Sequence, residues 1–312
     1  MTWAEPCLLS RRELTDSCTD KISGFWGVAM AKPLDNPASV MARTIAEPST
    51  TRPEPVVEFA RKKSPVYATE ALGGVAAPER EFPPLHPEQL PQVSLPRDTT
   101  KRPATANERQ VLEAYKSLRT RLLKSQASQG FRAVAVTSVG RAEGKTLTAF
   151  NLACCCAQVE NLSVLLIDGD LRSRSLTKLI HRMPAAGLAD VMAGKASCEE
   201  AVGRTEMANL FVMGAGTSDA QPAELFSTDR WSQVIRWARH HFKLVLVDAL
   251  SMGALTDFEL IAPECDGILM VVRARSTPRE SLKAAMEQIE ANKLIGVVWN
   301  GSDSENGESL YA

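Results

Sequence analysis

The sequence predicts an α/β fold in which helices cover both faces of a doubly wound, mainly parallel β-sheet. Apolar, β-branched runs alternate with helix-compatible runs, and they begin near residues 131, 163, 210, 243, 267 and 294. This alternation favours parallel strands because each crossover between them needs a helix-length connection. About 210 residues follow residue 101, which is enough for one hydrophobic core.

The first part of the chain has a different composition. Residues 1–100 contain most of the prolines, in stretches such as PEPVV and FPPLHPEQLP, and they show no sustained helical or strand period. We therefore predict a disordered or loosely attached leader over 1–100. The main domain then covers 101–301, and residues 302–312 form a flexible acidic tail. Met30 begins the segment MAKPLDNP, which would serve as an alternative start.

The first element of the domain is predicted to be an amphipathic helix containing EAYKSLRTRL. Its apolar residues recur at intervals of four, three and four positions, at Val111, Tyr115, Leu118 and Leu122. This spacing places them in one stripe and leaves the basic residues on the other faces of the helix.

A strand over Phe131–Thr137 leads into a turn that ends in Gly144, Lys145 and Thr146, and a helix follows. The first N–H groups of a helix lack carbonyl partners and attract anions. Gly144 lets the backbone approach phosphate oxygens, Lys145 can reach the β and γ phosphates, and the Thr146 hydroxyl suits Mg²⁺.

The match to the phosphate-loop pattern G-x-x-x-x-G-K-[ST] is incomplete. The first glycine would fall at Val139, whereas Gly140 stands one place later. The context supports the motif, because a strand precedes the turn, a helix follows it, and a second strand over Ser163–Ile167 ends in a carboxylate. The sequence therefore predicts a site for a nucleoside triphosphate with magnesium.

Carboxylates follow two predicted strands. Asp168 and Asp170 come after the second strand, and Asp248 ends the apolar run 241–247. The carboxyl ends of parallel strands meet at one edge of a sheet, so these side chains could converge on a magnesium ion bound by Thr146. The alternative for Asp248 is that it merely ends a strand, because aspartate is common in turns.

Composition argues against several other classes. The net charge of −1 disfavours a nucleic-acid binder, which needs a basic surface. No apolar run approaches the length of a membrane span and no secretory segment is evident, so we expect a cytoplasmic chain. The seven cysteines, three of them consecutive at 154–156, fit no disulfide or zinc spacing and are predicted to be buried thiols.

Residues 107–301 resemble the cytoplasmic kinase domain of the bacterial tyrosine kinases that control polysaccharide synthesis and export. TSVGRAEGKT resembles the Walker A loop of that family, LLIDGDLR its Walker A′ box, and LVLVDAL stands in the position of Walker B. EAYKSLRTRL lies near the domain start, as in the family. The A′ box discriminates best, because ordinary P-loop proteins lack Asp-x-Asp-x-Arg at this strand.

The resemblance implies MgATP-dependent phosphorylation of tyrosine, largely on a neighbouring copy of the chain, with ATP and Mg²⁺ as cofactors. Lys145 would hold the phosphates, Asp168 and Asp170 would serve metal binding and activation of the tyrosine hydroxyl, and the expected metal ligands are Thr146, Asp168 and Asp248. The residues expected at the nucleotide are Gly140, Arg141, Ala142, Glu143, Gly144, Lys145, Thr146, Leu147, Arg172 and Asn300.

Two elements near the end of the domain can be predicted from the sequence. The run TPRE predicts a helix start with Thr277 as N-cap and proline in the first turn, and the helix is expected to reach about Asn292. The strand Leu294–Trp299 then ends at Asn300. Related nucleotide-binding proteins often place an asparagine here against adenine, and a simple turn asparagine is the alternative.

The resemblance also implies self-association. Glu113, Lys116 and Arg119 match the family pattern Glu-x-x-Arg-x-x-Arg, with one lysine substituted, and this pattern mediates assembly into ring-like homo-oligomers. The alternative is a solvated charged face on a packing helix. The expected partner is a membrane-embedded polysaccharide co-polymerase whose cytoplasmic tail activates the kinase, which would place this chain peripherally at the inner membrane.

Tyr311 is the predicted phosphoacceptor, because it is the one tyrosine in the acidic tail SDSENGESLYA. A mobile segment suits an acceptor that enters the site of another subunit. Tyr67 lies in the proline-rich leader and Tyr115 on the helix stripe, so both fit less well. The alternative is that Tyr311 is a bystander in the tail.

The chain departs from the family pattern at two loops. Arg141 and Ala142 replace Pro-Gly in Walker A, and DALS at 248–251 replaces Asp-x-Pro-Pro. Ala142 adds a methyl group where φ is expected to be positive, at a strain of about 1 kcal/mol, so weakened nucleotide binding is predicted. Arg141 either adds positive charge beside the phosphates or is an exposed arginine without a role.

Three functions follow from these features. The first is a tyrosine autokinase. The second is a partition or cargo-positioning P-loop ATPase, which the sequence disfavours because Gly140 stands where that group carries a signature lysine. The third is a degenerate subunit that binds nucleotide and regulates without catalysis, which the altered loops favour.

Overall fold

A β-sheet of eight strands forms the centre of the fold in the computed structural model, which describes residues 8–9, 82–96, 106–253, 257–290 and 292–301. The strands are β1 (Leu8–Leu9), β2 (Ala133–Ser138), β3 (Val164–Asp168), β4 (Val202–Arg204), β5 (Leu210–Met213), β6 (Leu244–Asp248), β7 (Gly267–Arg273) and β8 (Leu294–Asn300).

The strand order is β1-β8-β7-β2-β6-β3-β5-β4. The two outermost pairs, β1–β8 and β4–β5, are antiparallel, and all the pairs between them are parallel. The predicted α/β class, the mainly parallel sheet and all six predicted strands are confirmed. The short edge strands β1 and β4 were not predicted, because two or three residues carry no readable period.

The α-helices of the described residues are α1 (Ala106–Gln129), α2 (Lys145–Ala157), α3 (Ser175–Leu179), α4 (Leu188–Met192), α5 (Cys198–Ala201), α6 (Pro222–Phe226), α7 (Asp229–His241), α8 (Asp257–Ile261) and α9 (Arg279–Gln288). Short 3₁₀ turns occupy Pro87–Gln89 and Ala262–Glu264.

The start of α9 differs from the prediction. Its N-cap is Pro278 rather than Thr277, and the Thr277 hydroxyl instead donates a hydrogen bond to Glu143 Oε1 at 2.6 Å. The helix ends at Gln288 instead of reaching Asn292, because Ile289 adopts an extended backbone and is buried. Thr277, which the sequence pattern assigned to helix capping, thus makes a long-range hydrogen bond instead.

Both faces of the sheet are covered. In β2, Val134 and Val136 point to one face and Ala133 and Ala135 to the other, and all four are fully buried. Helices α1 and α2 supply apolar residues to the core on the Val134 face, and α7 packs against β6. Such two-sided burial is typical of parallel sheets and explains the continuous apolar runs.

The predicted apolar stripe of α1 is confirmed, since Val111, Tyr115, Leu118 and Leu122 are all buried. Burial raises the pKa of the Tyr115 hydroxyl well above its usual value. The consecutive cysteines 154–156 are buried in α2, and burial raises the pKa of each thiol. They are packing residues, as predicted.

Part of the predicted leader packs onto the domain. In the segment Phe82–Pro96 the side chains of Leu90, Val93 and Leu95 are buried. The Val93 N–H donates to the Arg204 carbonyl at 2.8 Å, so the segment lies along the edge strand β4. This corrects the leader boundary of about residue 100, and the physical reason is the apolar surface that these side chains cover.

Most of the remaining leader and the tail 302–312 lie outside the described residues, and their predicted character stays a prediction. Among the described helices, none combines the length and apolarity that are needed to cross a bilayer.

Candidate active site

The predicted catalytic residues lie at the edge of the sheet where β2, β3 and β6 end. Asp168 and Asp248 are register partners on the adjacent strands β3 and β6. On its other side Asp248 is paired with Val136 of β2, directly before the Walker A loop. The topology therefore places the loop and both carboxylates side by side.

Lys145 begins α2 and joins these carboxylates. Its Nζ lies 3.0 Å from Asp170 Oδ2 and 3.5 Å from Asp248 Oδ1, and its side chain is 12% exposed. Burial by itself lowers the pKa of Lys145, but the negative charges of Asp248 and Asp170 outweigh it and raise the pKa above its usual value. The ammonium group therefore stays charged and partly neutralises the acidic cluster.

The three carboxylates differ in how many of their oxygens have hydrogen-bond partners. Asp168 Oδ2 accepts hydrogen bonds from the Thr177 N–H at 2.8 Å and the Thr177 hydroxyl at 2.6 Å, whereas its buried Oδ1 has no partner. Both oxygens of the fully buried Asp248 also lack hydrogen-bond partners. Asp170 Oδ1 accepts from the Ser173 N–H at 2.9 Å.

Burial sets the protonation of these groups. It raises the pKa of Asp248 to about 7, although the charge of Lys145 and the nearby Thr146 hydroxyl act in the opposite direction. Burial also raises the pKa of Asp168, against the hydrogen bonds from Thr177. A buried acidic group whose pKa is raised to near neutrality is typical of functional sites.

These residues fit a magnesium ion. A buried carboxylate oxygen without a hydrogen bond is costly, and a cation would satisfy it. Within the described part of the chain, no group of three or more His, Cys, Asp or Glu side chains could enclose an ion. Mg²⁺ in nucleotide sites takes one or two carboxylates together with waters and phosphates. Asp248, Asp168 and the Thr146 hydroxyl have the right chemistry.

The Walker A loop has the backbone that the sequence predicted. Ala142 has φ of 59°, so the expected positive φ at this departure from the family pattern is confirmed. Gly144 has φ of 95° at the N-cap of α2, and a Cβ there would overlap the side-chain amide of Asn300. Only glycine suits this position. Arg141 in the turn and Leu147 in the first turn of α2 are both exposed.

We expect Ala142→Gly to raise the free energy of unfolding by about 1 kcal/mol, because glycine adopts φ of 59° without steric strain. Denaturant unfolding of the nucleotide-free protein measures this. Ala127→Gly, in the exposed part of α1, is the matched control and should lower stability by a similar amount. Equal losses in both variants would contradict a strained loop.

Three predicted nucleotide residues are used within the protein. Glu143 is buried, and its carboxylate accepts hydrogen bonds from Val139 N and the Thr277 hydroxyl. The Asn300 amide donates to the Glu143 carbonyl at 2.7 Å, and its buried Oδ1 has no partner. Asn300 therefore holds the loop, which neither of the two sequence interpretations anticipated.

Arg172 of the A′ box is also engaged elsewhere. Its guanidinium donates to both carboxylate oxygens of Asp257, with Nε at 2.8 Å and an Nη atom at 3.3 Å. Asp257 is 1% exposed, and this pair raises the pKa of Arg172. The arginine thus ties the loop after β3 to α8, and its expected role at the nucleotide stays a prediction.

The sequence interpretation missed Thr177, Asp257 and Thr277. Thr177 and Asp257 each sit in the first turn of a five-residue helix that has no readable period. Thr277 stood in a recognisable pattern, but that pattern was interpreted as a helix cap. All three residues contact partners that are distant in sequence, and such contacts leave no local pattern.

The predicted oligomerisation residues lie on α1. Lys116 Nζ forms an ion pair with Glu113 at 2.7 Å on the surface, and Arg119 donates to the Cys155 carbonyl of α2 at 3.1 Å. Self-association stays a prediction. Tyr311 lies outside the described residues.

The sequence is similar to those of known bacterial proteins. The chain is 30% identical over 194 residues to the tyrosine-protein kinase CpsD of Streptococcus pneumoniae, covering 61% of this chain and 84% of CpsD. It is 31% identical over 196 residues to the succinoglycan biosynthesis transport protein ExoP of Rhizobium meliloti, covering 61% of this chain and 25% of ExoP. The sequence matches no protein-family model.

Among solved structures, the kinase domain of the Escherichia coli tyrosine kinase ETK superposes with a TM-score of 0.58 at 26% identity, covering 74% of this chain and 96% of that domain. The similarity to CpsD spans most of that protein, at 30% identity. The chain therefore belongs to the bacterial tyrosine-protein kinase family.

Proposed function

We propose that this chain is an MgATP-dependent protein-tyrosine autokinase that regulates exopolysaccharide synthesis and export. One observation carries the proposal: Lys145, at the start of α2, lies against Asp170 and Asp248 while buried carboxylate oxygens of Asp168 and Asp248 lack hydrogen-bond partners. A positive charge and free acidic oxygens at a helix N-terminus are what a metal-bound triphosphate requires.

Phosphoryl transfer asks a protein mainly for alignment and charge neutralisation. The N–H groups at the start of α2 and the ammonium of Lys145 would hold the phosphates. Asp248 and Thr146 would hold magnesium, which supplies charge neutralisation when bound. Asp168, with one free oxygen and a raised pKa, would share in metal binding and, with Asp170, in activation of the tyrosine hydroxyl.

The polysaccharide role and the partner are inferred from relatives. ExoP is named for succinoglycan biosynthesis and transport, and this chain matches 25% of its length. ExoP therefore joins a region similar to this chain to a transport protein, which supports a role for this chain beside such a protein. We propose a membrane co-polymerase with an activating cytoplasmic tail, a ring-like assembly of this chain, and a peripheral position at the inner membrane.

A degenerate nucleotide-binding regulator is the second candidate. The strained φ of 59° at Ala142 favours it, because a distorted loop weakens phosphate binding. This candidate predicts nucleotide binding without label on protein.

Tyr311→Phe tests the autokinase. Purified protein, with and without candidate activator tails, is incubated with labelled MgATP and the phosphate is mapped by mass spectrometry. We expect most of the label to disappear in Tyr311→Phe because the tail tyrosine is the acceptor. Tyr115→Phe is the control and should keep its label, since Tyr115 is buried.

Label that persists in Tyr311→Phe would exclude this residue as the main acceptor. ATP hydrolysis without protein labelling would favour the P-loop ATPase. Nucleotide binding with neither product would favour the regulator.

A further inference from the structure

The Walker A loop is held from outside by side chains of two other strands and the turn that follows one of them. The Arg273 guanidinium donates to the Ala142 carbonyl at 3.3 Å, and the Asn300 amide donates to the Glu143 carbonyl at 2.7 Å. The Thr277 hydroxyl donates to Glu143 Oε1 at 2.6 Å. These contacts come from the end of β7, the end of β8 and the turn before α9.

Glu143 connects this set to the beginning of the loop. Its second oxygen, Oε2, accepts a hydrogen bond from Val139 N at 3.0 Å, and the residue is 7% exposed. One buried carboxylate therefore links Val139, the first residue after β2, to Thr277. Hydrogen bonds to an ionised group are about twice as strong as neutral ones, so this link is a firm constraint.

Apolar packing does not replace this constraint. A cavity of about 350 Å³ separates the loop from α9, and its wall includes Val139, Gly140, Glu143, Met252, Pro278 and Ala285. A loop that borders open space has few packing contacts on that side. Its position there depends on hydrogen bonds.

We propose that Thr277, acting through Glu143, is a positioning residue that holds the Walker A loop in its nucleotide-binding shape. The inference rests on the proposed nucleotide site. The positive φ of Ala142 is disfavoured for a residue with a Cβ, so the free loop would relax to another conformation. The Thr277–Glu143–Val139 chain of hydrogen bonds opposes that relaxation.

Thr277→Val keeps the shape of the side chain but removes the hydroxyl, which donates to Glu143 and also accepts from the Arg273 N–H at 3.1 Å. Thr277→Ser keeps the hydroxyl. We measure the dissociation constant of a fluorescent ATP analogue with Mg²⁺, and amide hydrogen exchange over residues 139–144 in the nucleotide-free protein. For Thr277→Val we expect about tenfold weaker binding and about tenfold faster exchange, with KM for ATP rising more than kcat falls. Thr277→Ser should behave like the wild type.

Thr205→Val is the matched control. Thr205 is buried, and its hydroxyl donates to the Leu210 carbonyl at 3.0 Å in the β4–β5 hairpin, outside the candidate site. Thr205→Val should be less stable than the wild type. Its nucleotide affinity and the amide exchange of its Walker A loop should be unchanged. If Thr277→Val folds poorly, Glu143→Gln provides a second variant, which should weaken binding in the same direction by a smaller factor.

Unchanged affinity and exchange in Thr277→Val overturn the proposal, and so does an equal loss of affinity in Thr205→Val. If the wild type binds no nucleotide, the proposed function fails. The exchange rates still decide whether Thr277 holds the loop, because they are measured without nucleotide.

Discussion

Lys145→Met will lower tyrosine phosphorylation by about 10³-fold or more, the range expected when a charge-stabilising group is removed from a phosphoryl-transfer site. Methionine keeps a comparable length but removes the ammonium that lies 3.0 Å from Asp170 and 3.5 Å from Asp248. Quantitative phosphotyrosine analysis and titration with a nucleotide analogue measure the loss. Both should fall, because the same charge serves binding and transfer.

The same substitution will lower the stability of the nucleotide-free protein, by about 3 kcal/mol near neutral pH, because it leaves buried carboxylates without their cation. The loss should be smaller at pH 5, where Asp248, with a pKa near 7, is protonated. Lys124→Met, on the exposed face of α1, is the control and should change neither activity nor stability. Full phosphorylation in Lys145→Met would rule out the proposed site.

Asp248→Asn is the second large prediction, and its two effects have opposite signs. Asparagine removes a buried charge whose desolvation raises the pKa to about 7, compared with about 3.9 in an unfolded chain. The folded state then binds more protons than the unfolded state between about pH 4 and 7. The free energy of unfolding of the wild type therefore falls as pH rises through this window.

The free energy of unfolding of Asp248→Asn should not decrease in this way as the pH rises. This variant should be more stable than the wild type at pH 8, by more than about 1 kcal/mol, and the gap should close below about pH 4. It should also lose magnesium-dependent nucleotide binding and phosphorylation, because the amide is a poor substitute for a metal-binding carboxylate. Denaturant unfolding from pH 4 to 8 and nucleotide titration with and without Mg²⁺ measure the two effects.

Asp219→Asn, at a fully exposed aspartate, is the control for pH dependence and should match the wild type throughout. A pH profile of Asp248→Asn that parallels the wild type would show that Asp248 ionises normally in the folded protein.

The parts of this protein that sequence predicted are those with a local physical cause. The strands could be predicted because residues that are buried on both faces of a parallel sheet are mostly apolar, as they are in β2, β3 and β6 up to the polar residues at their carboxyl ends. The convergence of Asp168 and Asp248 followed from one rule, that parallel strands end at the same edge. The positive φ at Ala142 followed from where the motif needs a glycine.

The tertiary structure decided which side chains meet across the loops. Thr277 and Glu143 are 134 positions apart, Asn300 and Glu143 are 157 apart, and Arg172 and Asp257 are 85 apart. No period or short motif encodes such pairs, because loop conformation depends on how the helices and strands beneath pack together. For the same reason the sequence assigned Thr277 to helix capping and the segment 82–96 to a loosely attached leader.

Sequence alone therefore determined the sheet, the anion-binding turn and the acidic edge, since periodicity and strand-end chemistry are local properties. Folding determined which oxygens remain without partners at that edge and which side chains restrain the strained turn. Those outcomes depend on burial and long-range contacts, which exist only after the chain has packed.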